Sequence, residues 1–122
     1  MDSTLYEEIG GKDTVEKAAK YLYVNILRDD RIKDFFENVD INKQQRKMTA
    51  FLTYIFGGPS LYRGRDMRRA HKGAVEEGLN DAHVDALMEC VHTTLQELNI
   101  GKENTKKIID TIEKHRDDVL NR

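Results

Sequence analysis

Three features of the chain predict an all-α fold. Apolar residues recur at helical spacing through most of its length. Glycine and proline clusters cut that pattern into four substantial helices and short extra turns, and no stretch alternates apolar and polar residues over a useful length. The 122 residues predict one domain.

In chain order, Thr4-Leu-Tyr-Glu7 has capping-box spacing and opens a short helix, about 4 to 9, ended by Gly10-Gly11. Asp13-Thr-Val-Glu16 repeats the start signal, and Val15, Ala18, Ala19, Leu22, Tyr23, Ile26 and Leu27 form the inward stripe that follows. Asp29-Asp30 breaks it. Ile32, Phe35 and Phe36 make a short apolar turn, with Asn38 and Asp40 as turn and cap residues. Asp40 caps a helix from about 41 to 56, whose inner face reads Gln44, Lys47, Met48, Phe51, Leu52 and Ile55. Gly57-Gly58-Pro59 stops it, and no helix fits 59 to 64. A helix around His71 ends near Gly78. Asn80 caps the next, about 81 to 98, and Gly101 separates it from a last helix, about 103 to 119.

Composition excludes several function classes. A hydrophobic fraction of 39% and a charged fraction of 34% suit a soluble globule rather than a disordered chain. The 20 basic and 22 acidic residues are mixed along the chain, so no basic patch argues for nucleic acid. No apolar run reaches membrane-span length, and Met1-Asp2-Ser3-Thr4 lacks a signal pattern, so a cytoplasmic location is expected by default. The lone Cys90 excludes an internal disulfide and a thioether haem attachment through paired cysteines; lying between Leu87 and Val91, it reads as a core residue.

Polar residues on apolar faces are the candidates for chemistry. His71 has Met67 one turn before it and Val75 one turn after. It is read either as a buried neutral histidine bonded to a carbonyl or as an imidazole offered to a metal or haem iron. Gln44 and Lys47 open an otherwise apolar stripe, and a lysine so placed commonly snorkels to water. Tyr23 reads as core or as a donor at a pocket. His115 lies between Ile112 and Val119, whereas His83 and His92 read as surface.

The chain resembles the group I truncated haemoglobins over nearly its whole length. The resemblance rests on Leu5-Tyr-Glu-Glu-Ile-Gly-Gly11, Leu22-Tyr23, Asp30-Arg-Ile-Lys-Asp-Phe-Phe36 and Asp40 followed by Gln44-Gln45. It rests equally on Ala50-Phe-Leu-Thr-Tyr-Ile-Phe-Gly-Gly58, Gly64-Arg-Asp-Met-Arg-Arg-Ala-His-Lys72 and Thr94-Leu-Gln-Glu-Leu98. It implies a two-over-two globin fold around a b-type haem, with His71 the proximal iron ligand. Tyr23 and Gln44 would hydrogen-bond bound oxygen, with Met48 beside them. Phe35, Phe36, Phe51, Tyr62 and Met67 would pack on the haem. Lys47 stands where cyanobacterial relatives carry a histidine that closes the sixth site and some algal relatives a lysine. It is expected to ligate iron, the competing reading being a protonated lysine on a propionate. The string His115-Arg-Asp-Asp-Val-Leu-Asn121 resembles the cyanobacterial tail, where the histidine can add covalently to a haem vinyl group; a hydrogen-bonded core or interface histidine is the alternative.

The implied function is binding of oxygen, nitric oxide and other small haem ligands by a monomer. Nitric oxide dioxygenation, with an unknown reductase restoring the iron, is the usual proposal for such proteins, and peroxidase-like activity shares the haem. The reading from a different class is a haem-free helical interaction or regulatory module.

Overall fold

The computed structural model of the chain describes residues 4–36, 40–60 and 62–122. Every regular element among them is helical. The helices are α1 (Leu5–Glu8), α2 (Gly11–Leu27), α3 (Ile41–Ile55), α4 (Gly64–Glu76), α5 (Asp81–Glu97), α6 (Lys102–Lys114) and α7 (Arg116–Val119), with a 3-10 turn at Lys33–Phe35. The turn expected at Asn38 lies outside the described residues.

Side chains cap several of the helix starts. The Thr4 hydroxyl accepts from the Glu7 amide, the Asp40 carboxylate from Lys43 and the Asn80 side chain from Ala82. Each satisfies an amide with no intrahelical partner. The start of α2 differs from expectation. It begins at Gly11, and Gly10, at φ 115°, makes the left-handed entry. Asp13 therefore sits inside the first turn, where its charge suits the positive end of the helix dipole.

Four of the five long helices, α2, α3, α5 and α6, close a ring around one core. α2 packs on α3 and α5, while α6 packs on α5 and α3. Val15, Ala18, Ala19, Leu22 and Ile26 of α2 meet Met48, Leu52 and Ile55 of α3, Cys90, Val91 and Leu95 of α5, and Ile108 and Ile112 of α6. Leu27, expected inward, is 37% exposed. At about 100° per residue it lies about 120° around the helix from Val15, beyond the edge of the stripe.

α4 stands outside this ring and packs on α7. It heads a second apolar cluster of Met67, Val84, Val119 and Leu120, against which Phe51, Tyr54, Tyr62, Leu79 and Met88 are partly buried. The last helix, expected unbroken, is split at His115 into α6 and α7. The break swings Val119 and Leu120 away from the ring and under α4.

The Gly57-Gly58 stop is also a contact. The Tyr6 amide donates to the Phe56 carbonyl at 2.8 Å, and the Tyr6 ring lies over Gly58, where an added Cβ would sit 2.5 Å from it. Gly58→Ala is therefore expected to destabilise the fold by about 1–3 kcal/mol through overpacking, read as a lowered urea midpoint with unchanged slope.

Candidate functional site

α3 carries two faces rather than the single inner face expected. Met48, Leu52 and Ile55 are buried in the ring core. Gln44, Lys47, Phe51 and Tyr54 follow one another at spacings of 3, 4 and 3 residues and so share a neighbouring flank. Phe51 and Tyr54 turn this flank toward α4. The Phe51 and Tyr62 ring centroids are 6.4 Å apart, those of Tyr54 and Tyr62 are 5.8 Å apart, and all three rings touch the Met67 cluster. α3 and α4 thus face each other across aromatic side chains; among the described residues they do not pack as neighbouring helices.

α4 supplies the histidine. The Asp66 carboxylate accepts from the Arg63 amide at 2.8 Å and starts the helix after the Pro59 loop. Met67 is completely buried, and His71, Ala74 and Val75 on the same face are half-buried. His71 Nδ1 lies 2.7 Å from the Met67 carbonyl oxygen. A carbonyl only accepts, so Nδ1 carries the proton and Nε2 keeps a lone pair. Burial lowers the His71 pKa below its ordinary value, and the bond to Met67 only partly opposes this. A neutral imidazole, its tautomer set by a second partner and its free nitrogen on a half-buried apolar face, is the donor that haem iron takes. The residues present therefore fit the group implied by the sequence. Nearby, burial pushes the Tyr62 hydroxyl up to about 12, so it stays a neutral phenol.

The other expected residues divide between flank and core. Tyr23 is buried on α2, its hydroxyl donating to the Phe36 carbonyl at 3.4 Å, a long bond that holds the proton weakly. The Phe36 ring packs edge-on against Tyr23 at 6.2 Å. Gln44 is half-buried, and among the described residues its amide has no partner. Lys47, placed inward by the sequence pattern, is exposed, with no carboxylate in ion-pair range among the described residues. Met48, expected beside Gln44, is 7% exposed and packed in the ring core. The Phe35 ring lies 5.0 Å from that of His83.

His115, at the α6–α7 break, meets the Tyr54 ring at 5.3 Å and the Asp118 carboxylate at 3.4 Å. It thus borders the aromatic patch between α3 and α4.

Sequence reasoning missed three groups here. His83, read as surface, is half-buried and caps α5 by accepting from the Asn80 amide at 3.0 Å. The signal was an acceptor three residues after the cap, in the place that glutamate takes in a capping box. Tyr54 was visible as the next member of the Gln44, Lys47, Phe51 series. The pairing of Asp118 with Arg68, 2.8 Å apart, had no local signal. His92 is exposed as expected, and Cys90 is a buried core thiol whose pKa burial pushes up to about 11.

Comparison with known proteins agrees with this geometry. The bacterial-like globin family model matches residues 4–121. The chain is 45% identical to the group 1 truncated hemoglobin GlbN of Synechocystis sp., covering 98% of both chains. It is 38% identical to the group 1 truncated hemoglobin of Tetrahymena pyriformis, covering 96% of this chain and 94% of that one. Its fold superimposes with a TM-score of 0.91 and 41% identity on the 2/2 hemoglobin from Synechococcus sp. PCC 7002 in the cyanomet state with covalently attached heme, covering 98% of this chain and all of that one. The chain belongs to the bacterial-like globin family, as a group 1 truncated hemoglobin with the two-over-two fold and haem-based ligand binding as its function.

Proposed function

We propose that the chain holds one b-type haem between α3 and α4 and binds oxygen, nitric oxide and other diatomic ligands there as a monomer. The observation that carries this reading is His71: a neutral imidazole whose Nδ1 is tied to the Met67 carbonyl and whose Nε2 is free. The haem supplies the iron that takes the ligand and, with oxygen and nitric oxide, the redox chemistry that yields nitrate before a reductase restores it.

The protein's own part is positioning. His71 holds the iron from α4. Met67, Phe51 and Tyr62 exclude water around it, which strengthens every polar contact inside. Tyr23 and Gln44 are the donors proposed for the bound ligand. The Tyr23 hydroxyl is free to leave its long contact with Phe36, and the Gln44 amide already shares a flank with Phe51. Phe36 backs Tyr23.

Lys47 is proposed as a displaceable sixth ligand. Its place on that flank and its long side chain, without an ion-pair partner among the described residues, support this, since an amine that loses its proton to a metal becomes a ligand. Displacement by a diatomic ligand lowers apparent affinity in proportion to the open fraction, which favours redox chemistry over storage. His115 is proposed to join the haem covalently, supported by its place beside Tyr54 and by the attached heme of the Synechococcus relative.

The test is the absorption spectrum of the haem-reconstituted protein, ferric and ferrous, across pH. Stoichiometric binding with a low-spin ferric spectrum is expected. Lys47→Ala is expected to convert it to high-spin; an unchanged spectrum in that variant removes lysine ligation. Failure to bind haem stoichiometrically overturns the whole reading and revives the interaction module.

A further inference from the structure

The environment of His115 holds a detail that the covalent-link reading does not contain. Its ring is held from two sides, by Tyr54 of α3 and by Asp118 one turn on. The Asp118 carboxylate is shared between two partners. Oδ2 faces His115 Nδ1 at 3.4 Å, and Oδ1 accepts from Arg68 Nε at 2.8 Å. Arg68 is fixed in turn: its guanidinium donates to the Arg122 carbonyl at 2.6 Å, and its own carbonyl accepts from Asn121 at 3.0 Å. The carboxylate is thereby tied to α4, three residues from His71 in sequence, and to the end of the chain.

We infer that Asp118 is a positioning residue that prepares His115 to add to the haem edge. An ionised carboxylate only accepts, so the 3.4 Å contact favours the proton on His115 Nδ1, which in the neutral ring leaves Nε2 its lone pair. Nε2 is then the nucleophile, and turning the ring over to offer the other nitrogen breaks the contact with Asp118. This is the logic by which an aspartate sets the reactive nitrogen of a histidine in hydrolytic triads. In the step itself, a bond forms between Nε2 and one vinyl carbon, and the π bond breaks. Its electron pair takes a proton from solvent at the other carbon, and the resulting imidazolium, stabilised by Asp118, releases its Nδ1 proton to solvent. The sum is a simple addition with no electrons gained or lost.

The proposal rests on the covalent-link reading, and the experiment separates the two. The haem-reconstituted protein is reduced with dithionite, and attachment is timed as haem that resists acid–butanone extraction and adds to the protein mass. In parallel, nitrogen-15 NMR of the apoprotein reads the His115 tautomer. The wild type is expected to show the Nδ1–H tautomer and to attach. Asp118→Ala is expected to lose that preference and attach roughly 10-fold or more slowly, with stoichiometric haem binding unchanged. Arg68→Gln, which frees the carboxylate from α4 but leaves it on His115, is expected to keep the tautomer and most of the rate. Equal rates in Asp118→Ala and wild type, or an Nε2–H tautomer in the wild type, overturn the positioning role and leave the link intact. Slowing in Arg68→Gln as large as in Asp118→Ala, with the tautomer kept, assigns the effect to docking of α7 and also overturns it. No attachment in the wild type, or full attachment in His115→Ala, overturns the link and the proposal with it.

Discussion

His71→Ala is expected to abolish stable haem binding while leaving the helical fold in place. The imidazole is a neutral nitrogen donor on the inward face of α4 whose tautomer the Met67 carbonyl sets, leaving Nε2 with its lone pair. Losing a coordinate bond worth about 3 kcal/mol or more lowers haem affinity by roughly a hundredfold or more. The alanine leaves a gap of imidazole size on a half-buried face, so added imidazole is expected to restore a ligated spectrum in the variant. Haem titration followed by absorbance, with circular dichroism as the check on folding, reads both effects. Tight haem binding by His71→Ala without imidazole would show that the iron is held elsewhere and would return His71 to a structural role.

Leu22→Ala is expected to destabilise the apoprotein by about 2–5 kcal/mol, a large fraction of what a domain of this size has to lose. Leu22 is 1% exposed on the helix that packs against both α3 and α5, so the cavity cannot be filled from one side without opening the other. The matched change Leu27→Ala, at a position 37% exposed, is expected to cost less than about 1 kcal/mol. Urea unfolding of the two variants side by side measures the difference. Similar costs at both positions would mean that Leu27 is packed as deeply as Leu22 and that the orientation of α2 described above is wrong.

The same pair shows what periodicity does and does not establish. Seven apolar residues make α2 legible as a buried helix, but the pattern does not mark where the stripe ends. Leu27 falls outside because α3 and α5 cover an arc that stops at Tyr23 and Ile26. On α3 the fault is the reverse. Two faces were read as one, since Gln44 and Met48 differ by only a turn, and sequence spacing cannot say which neighbour each meets. The core took Met48, Leu52 and Ile55, while Phe51 and Tyr54 lie at its edge and also reach the Met67 cluster of α4. His115 was legible as an inward histidine, but the break that places it beside Tyr54 and Asp118 was not, because no glycine or proline marks it.

By itself, the sequence determined the helical class, most helix boundaries apart from the start of α2 and the α6–α7 break, the inward face of α4 and, through a set of motifs, the family. These are local matters: capping side chains, glycine breaks and i, i+4 spacing act within a turn or two of the residue that carries them. Only the tertiary structure decided which flank of α3 meets the Met67 cluster of α4, that Tyr54 joins Tyr62 to His115, and that Asp118 is shared between His115 and Arg68. Arg68 and Asp118 are 50 residues apart in the chain. Such a contact is created by the packing of α7 under α4, and no local pattern records it.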